Sequence, residues 1–164
     1  SDFATELAKA ERIDVAFTSN KAARKADLVL EVQRKLGDFK FELMGRVKKQ
    51  RVYLEGGRLC FRTRFLECND QTLPIEDYLY EIPLTAVDAS RTELEWNSFW
   101  SFGDISVRSK NSAEFVRVTL FPSKHSRTQG VVYETEFVIF AVKDRNAIEL
   151  IKSLAVLYQT AGTE

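Results

Sequence analysis

Residues 38–65 read DFKFELMGRVKKQRVYLEGGRLCFRTRF, and this stretch decides how the chain folds. Phe39, Phe41 and Leu43 alternate with polar neighbours, the period of a half-buried strand. A short basic connector follows, Gly45 to Lys48. A second strand is expected from Lys49 to Leu54, a turn at Glu55-Gly56-Gly57, and a third strand from Arg58 to Phe65. A Gly-Gly pair between two alternating runs favours a tight hairpin, because both residues take positive φ without a Cβ penalty. Positive charge also collects here. Lys40, Arg46, Lys48, Lys49, Arg51, Arg58, Arg62 and Arg64 face only two acids, Glu42 and Glu55, between positions 40 and 64. The 164-residue chain has 24 basic and 24 acidic side chains, so the remainder carries the compensating negative charge.

Upstream, residues 2–17 read as a helix with Phe3, Leu7, Ala10 and Asp14 on one face and Asp2 as its cap. Residues 20–36 read as a second helix, with Asn20 as cap and a stripe of Ala22, Ala26, Val29, Gln33 and Leu36. Gly37 ends it. Alternation from Asp27 to Val32 leaves a strand open as the alternative there. Downstream, strands are expected over residues 75–87, 104–109 and 114–121, with an aromatic-rich extended stretch at 93–102. Pro83 confines the first to an edge or a bend. Residues 122–130 form a loop, and Val131 to Val142 reads as the longest strand. The last element is a helix from Arg145 to Thr160. Asn146 and Glu149 have the spacing of a capping box, and Gly162 stands where a left-handed cap is wanted. Its apolar stripe is wide, so it must lie on a sheet.

Composition narrows the function classes. Apolar residues make up 45% and charged residues 29%, as in a soluble globular protein. No apolar run approaches the roughly 20 residues that span a bilayer. No secretory pattern is present, so a cytoplasmic protein is expected, one able to attach peripherally to a membrane. Cys60 and Cys68 read as free thiols, and they lack the companion ligands of a zinc site. No P-loop, G-x-S-x-G or H-E-x-x-H motif occurs. Asp70, Glu76 and Asp77 have no visible catalytic partner, and His125 sits in a polar loop. No enzyme, cofactor or metal is expected. Overall neutrality argues against nucleic acid as a partner.

The order of elements resembles the pleckstrin homology (PH) superfamily, whose fold is a bent sandwich of seven strands closed by a C-terminal helix. The residues that carry the resemblance are Lys40 on the first strand, Lys49-Gln50-Arg51 and Val52-Tyr53-Leu54 on the second, and the Gly56-Gly57 turn. Leu59-Cys60-Phe61, Tyr80-Glu81-Ile82-Pro83-Leu84, Val138 to Val142 and Ala147 to Leu157 continue it. Stand-alone PH-fold proteins of the apicomplexan inner membrane complex are similar in size and plan. The resemblance implies a mainly β (α+β) domain over 38–164, a bent antiparallel sandwich or barrel of about seven strands closed by the terminal helix. It leaves residues 1–37 as an N-terminal helical extension. Where most of the family carry a tryptophan in the terminal helix, this chain has Leu150.

Two functional expectations follow. In the first, Lys40, Lys49 and Arg51 share one strand face and hold an anionic, phosphoinositide-type headgroup, with Arg46 and Lys48 closing from the connector and Arg62 adding to the field. Each cation near an anionic leaflet adds about 1 kcal/mol. In the second, the fold is a protein-docking scaffold with a degenerate lipid site, and Trp96, Phe99 and Trp100 are the docking residues. Such aromatics are more often core, and a basic run is usually a solvated face that blunts edge pairing. A small β-barrel carrier of an apolar ligand is a third class.

Overall fold

A computed structural model describes residues 23–161. The expected helix over 2–17 and the caps at Asn20 and Gly162 lie outside the described residues. Residues 23–36 form helix α1, so the strand alternative for Asp27 to Val32 is not adopted. Its buried face is Val32 and Leu36 with Leu28 and Val29 beside them, while Ala26 and Gln33 are exposed. The stripe is therefore turned from the one expected. Gly37 follows because a Cβ there would collide with the Gln33 carbonyl.

Three strands come next: β1 (Asp38–Leu43), β2 (Arg46–Glu55) and β3 (Arg58–Glu67). Gly56 and Gly57 make the second turn with φ of 57° and 73°, as expected. The first turn differs. Only Met44 and Gly45 lie between the strands, with φ of 53° and 77°. The basic connector is thus strand, and Arg46 and Lys48 belong to β2. Strand β4 (Glu76–Pro83) completes a meander, and a 3-10 turn at Leu84–Ala86 leads away from it. Then come β5 (Glu93–Asn97), β6 (Phe102–Arg108), β7 (Val116–Leu120), β8 (Gly130–Glu134), β9 (Glu136–Val142) and helix α2 (Ala147–Ala161).

The strands number nine among the described residues, in two antiparallel sheets, where about seven were expected. One sheet runs β1-β2-β3-β4-β7-β8 and the other β5-β6-β9. The sheets stay open rather than closing into a barrel, and among the described residues one bridge, Val87 to Ser109, lies outside the named strands. The run 131–142 is divided at Thr135, so its first part pairs with β7 and its second with β6. β9 lies across the inner face of the large sheet. Phe137 stacks on Phe61 and Tyr80 at 6.3 and 5.6 Å, Gln50 donates to the Phe140 carbonyl, and Lys143 stands 4.9 Å over the Phe39 ring.

The core lies between the sheets and under both helices. Leu59, Phe61, Ile82, Ile105, Ile139, Ile151 and Leu154 are fully buried in it, together with Val32 of α1. Helix α2 is tied down by Gln159, whose amide donates to the carbonyls of Leu84 and Val87 at 3.3 and 2.9 Å. At its start, the Asp144 carboxylate accepts the Asn146 N–H at 2.8 Å and the Lys35 ammonium at 2.7 Å. Asp144, rather than the expected pair of Asn146 and Glu149, provides the side-chain bonds there. The Lys35 contact holds α1 to the domain, and Lys25 adds a second hold, 4.3 Å over the Tyr158 ring.

Candidate functional site

Strand pairing fixes which basic side chains share a face. Lys40 lies opposite Lys49, and Lys49 opposite Arg64; Arg51 lies between Asp38 and Arg62. Directly opposed residues point to the same side of a sheet. Lys40, Lys49, Arg51 and Arg62 therefore do share the outer face of the large sheet. Arg46 and Lys48, one residue out of step, point to the inner face. The six expected headgroup residues thus form two groups on opposite sides of one sheet.

On the outer face the cations already have partners. Lys40 meets Glu42 at 3.2 Å, Arg51 meets Asp38 at 3.4 Å, and Lys49 donates to the Gln71 amide oxygen at 3.4 Å. The two ion pairs are exposed, and such pairs contribute about 0–1 kcal/mol. Arg62 is held far more firmly. Its guanidinium donates to both oxygens of Asp77 at 2.7 and 2.9 Å and lies 3.8 Å over the Phe121 ring. Arg64 approaches the same carboxylate at 3.4 Å. Asp77 is only 5% exposed. Arg62 is therefore a structural cation, locked in a bidentate pair.

The inner face is different at the end nearest the first turn. Phe41 and Leu43 of β1 stand there beside Arg46 and Lys48 of β2 and Phe65 of β3. The second sheet does not cover them, so Phe41, Leu43 and Met44 are exposed, Met44 by 91%. With Arg46, Lys48 and Phe65 they line a groove of about 540 Å³. Lys48 and Phe65 also border a neighbouring hollow of about 410 Å³, walled by Tyr78, Tyr80 and Phe140, with Glu76 at its edge. The Arg46 guanidinium lies 5.5 Å over the Phe65 ring, and the Lys48 ammonium 4.1 Å over that of Phe140. Neither forms an ion pair among the described residues. Burial holds the Lys48 amine below its ordinary pKa, against the upward pull of Asp104 and Glu76. The hairpin end is therefore amphipathic: an apolar tip backed by two cations, with Glu67 across the strand pair from Arg46 and with Asp104 and Glu76 acting on Lys48 without pairing to it.

The aromatic stretch divides as well. Phe99 and Trp100 lie between β5 and β6, exposed, with rings edge-on at 4.9 Å. The Asn97 side-chain oxygen accepts both their backbone N–H groups at 3.0 and 3.2 Å, and Ser101 follows with φ of 53°. The turn is held in shape before anything binds it. Trp96 is half-buried instead, covered by the Arg145 guanidinium at 4.7 Å, and its indole N–H has no partner among the described residues. Of the three expected docking residues, two stand together on the surface and the third packs inward.

His125 is exposed in its loop, and among the described residues no cluster of His, Cys, Asp or Glu could hold a metal ion. Among them also, no helix is long and apolar enough to cross a membrane. The sequence reading missed the apolar tip of Phe41, Leu43 and Met44 and the clamp at Asp77. The Met44-Gly45 pair between two alternating runs was the available signal for the tip. Set against protein-family models, curated proteins and solved structures, the chain matches none.

Proposed function

We propose that this chain is a non-enzymatic targeting module of PH-like type that attaches to an anionic membrane surface by the end of its β1–β2 hairpin. Four consecutive antiparallel strands, a three-stranded second sheet and a final helix support the PH-like part. On that reading β7 and β8 are an added pair that prolongs the first sheet. The observation that carries the membrane part is that Arg46 and Lys48, which form no ion pair among the described residues, stand directly behind exposed Phe41, Leu43 and Met44. Cations near an anionic leaflet contribute about 1 kcal/mol each. Burying an exposed aliphatic or aromatic side chain adds about 1.5–3 kcal/mol when complete. Neither source alone gives firm attachment, and the hairpin end combines them.

Co-sedimentation with vesicles tests this. Binding to vesicles containing phosphatidylserine is expected to exceed binding to phosphatidylcholine alone and to weaken with salt. Met44→Asp keeps a residue that tolerates positive φ while removing the apolar side chain at the turn, and Arg46→Glu with Lys48→Glu removes the two cations. Both are expected to abolish binding. Lys40→Glu with Lys49→Glu alters the outer face and should cost less. Excess binding to phosphoinositide over charge-matched phosphatidylserine would assign a headgroup-specific site. No binding by the intact chain at low salt refutes the proposal and leaves the Phe99–Trp100 turn, with its fixed backbone, as the surface for a protein partner.

A further inference from the structure

A sheet edge is a row of unused backbone donors and acceptors, and proteins normally guard it with charges, proline or a cover. β1, one edge of the large sheet, carries Asp38, Lys40 and Glu42. β5, an edge of the small sheet, carries Glu93 and Glu95. β8 is the other edge of the large sheet, and it is unguarded. Its residues are Gly130, Val131, Val132, Tyr133 and Glu134, with a charge only at the last. Val131, Val132 and Tyr133 are all exposed, and no described strand pairs with the far side of β8.

The segment is also suited to meeting itself. In an antiparallel pair of two copies related by a two-fold axis at Val132, Val132 faces Val132, Val131 faces Tyr133, and Gly130 faces Glu134. No like charges are opposed, and apolar side chains meet on both sides of the sheet. The flanks agree. Arg127 precedes β8 and Glu134 ends it, while Lys124 and Glu136 nearby are already engaged by Asp70 at 3.9 Å and Arg108 at 3.0 Å. Antiparallel pairing carries the basic flank of one copy alongside the acidic flank of the other, whereas parallel pairing would set like against like. Arg127 and Glu134 form no ion pair among the described residues, so both are available.

We propose that β8 is the seam at which two copies of this chain pair, joining their large sheets into one. An isologous contact of this kind closes on itself and forms a dimer rather than a fibre. Five residues bury little surface, so the association is weak and concentration-dependent.

Sedimentation equilibrium of the full chain over a wide concentration range is the test. A monomer–dimer equilibrium is expected. Val131→Lys with Tyr133→Lys, both exposed and on the outer side, should weaken it at least about tenfold, equivalent to one mismatched interaction. Arg127→Glu and Glu134→Lys should each weaken it, and the two together should restore it. In a Cys68→Ser background, Val132→Cys should oxidise to a cross-linked dimer, whereas Val131→Cys, which faces Tyr133, should not. Circular dichroism of each variant confirms that it is folded. A chain that stays monomeric into the millimolar range overturns the proposal. So does a dimer indifferent to these substitutions, or a monomer that instead takes up an added strand-forming peptide along β8.

Discussion

Removing the Asp77 carboxylate tests how the outer face of the large sheet is held together. Asp77→Ala deletes the acceptor of two charge-assisted bonds from Arg62, at 2.7 and 2.9 Å, and the nearest counter-charge of Arg64 at 3.4 Å. Breaking a fully buried ion pair costs about 3–5 kcal/mol, because the surviving charge is stranded. Asp77 is buried, but the Arg62 side chain keeps 33% of its surface in water and its stacking on Phe121. The stranded guanidinium is thus partly rehydrated, and the expected cost falls to about 2–3 kcal/mol. For a domain of this size that lowers Tm by about 4–12 °C. Urea denaturation is the direct assay: the midpoint should fall with the slope unchanged. Arg62→Ala and the double variant complete a cycle, and the coupling energy should be about 1.5–3 kcal/mol. A loss below about 0.5 kcal/mol, typical of neutral surface changes, would refute the clamp. So would a cycle in which the two substitutions simply add.

Other expectations concern single groups. Lys48→Met removes a half-buried ammonium whose pKa burial depresses. A depressed lysine makes the folded state bind fewer protons, so stability should rise as pH climbs toward the ordinary lysine pKa, and this rise should vanish in Lys48→Met. The variant should melt higher at neutral pH and bind anionic vesicles less. The Lys35 ammonium, and next the Asn146 N–H, hold the Asp144 carboxyl below its usual range. That contribution is complete above the ordinary carboxylate pKa of about 4 and disappears as pH falls through the lowered value. The stability difference between the intact chain and Lys35→Met should therefore shrink on acidification, as urea midpoints at several pH values would show. Burial, with Glu81 and Glu55 nearby, pushes the Cys60 thiol up to about 12. A colourimetric thiol reagent at neutral pH should therefore titrate exposed Cys68 at once and Cys60 only after denaturation. Gly103→Ala should unsettle the β5–β6 pair, since a Cβ there would lie 2.8 Å from the Glu95 carbonyl oxygen.

The elements were largely legible and the faces were not. Gly56-Gly57 announced its turn because two adjacent residues free of a Cβ have few other uses between alternating runs. Met44-Gly45 offered a weaker signal, a single glycine, because methionine is not a residue that positive φ selects. That difference moved the start of β2 from Lys49 back to Arg46, and a strand face changes with every residue. Arg46 and Lys48 consequently point away from Lys40 and Lys49. The Asp77 clamp was hidden for another reason: it requires the register of β3 on β4, set by the loop at 68–75 and not by periodicity. The run from Val131 to Val142 was legible as strand. Nothing in it tells which sheet each half joins, because β-formers suit either. In α1, Val29 and Leu36 were placed correctly, whereas Gln33 was placed inside a stripe that tertiary packing rotated toward Val32.

The division of that run at Thr135 has a mechanical result. One continuous backbone belongs to both layers, and its second half lays Phe137 against Phe61 and Tyr80, which also stack on each other at 6.0 Å. The layers are therefore stitched together covalently, and neither can slide over the other without dragging this ring out of its slot. A pull applied along β8 is not absorbed by a pliable margin; within three residues it reaches the aromatic keystone of the interior.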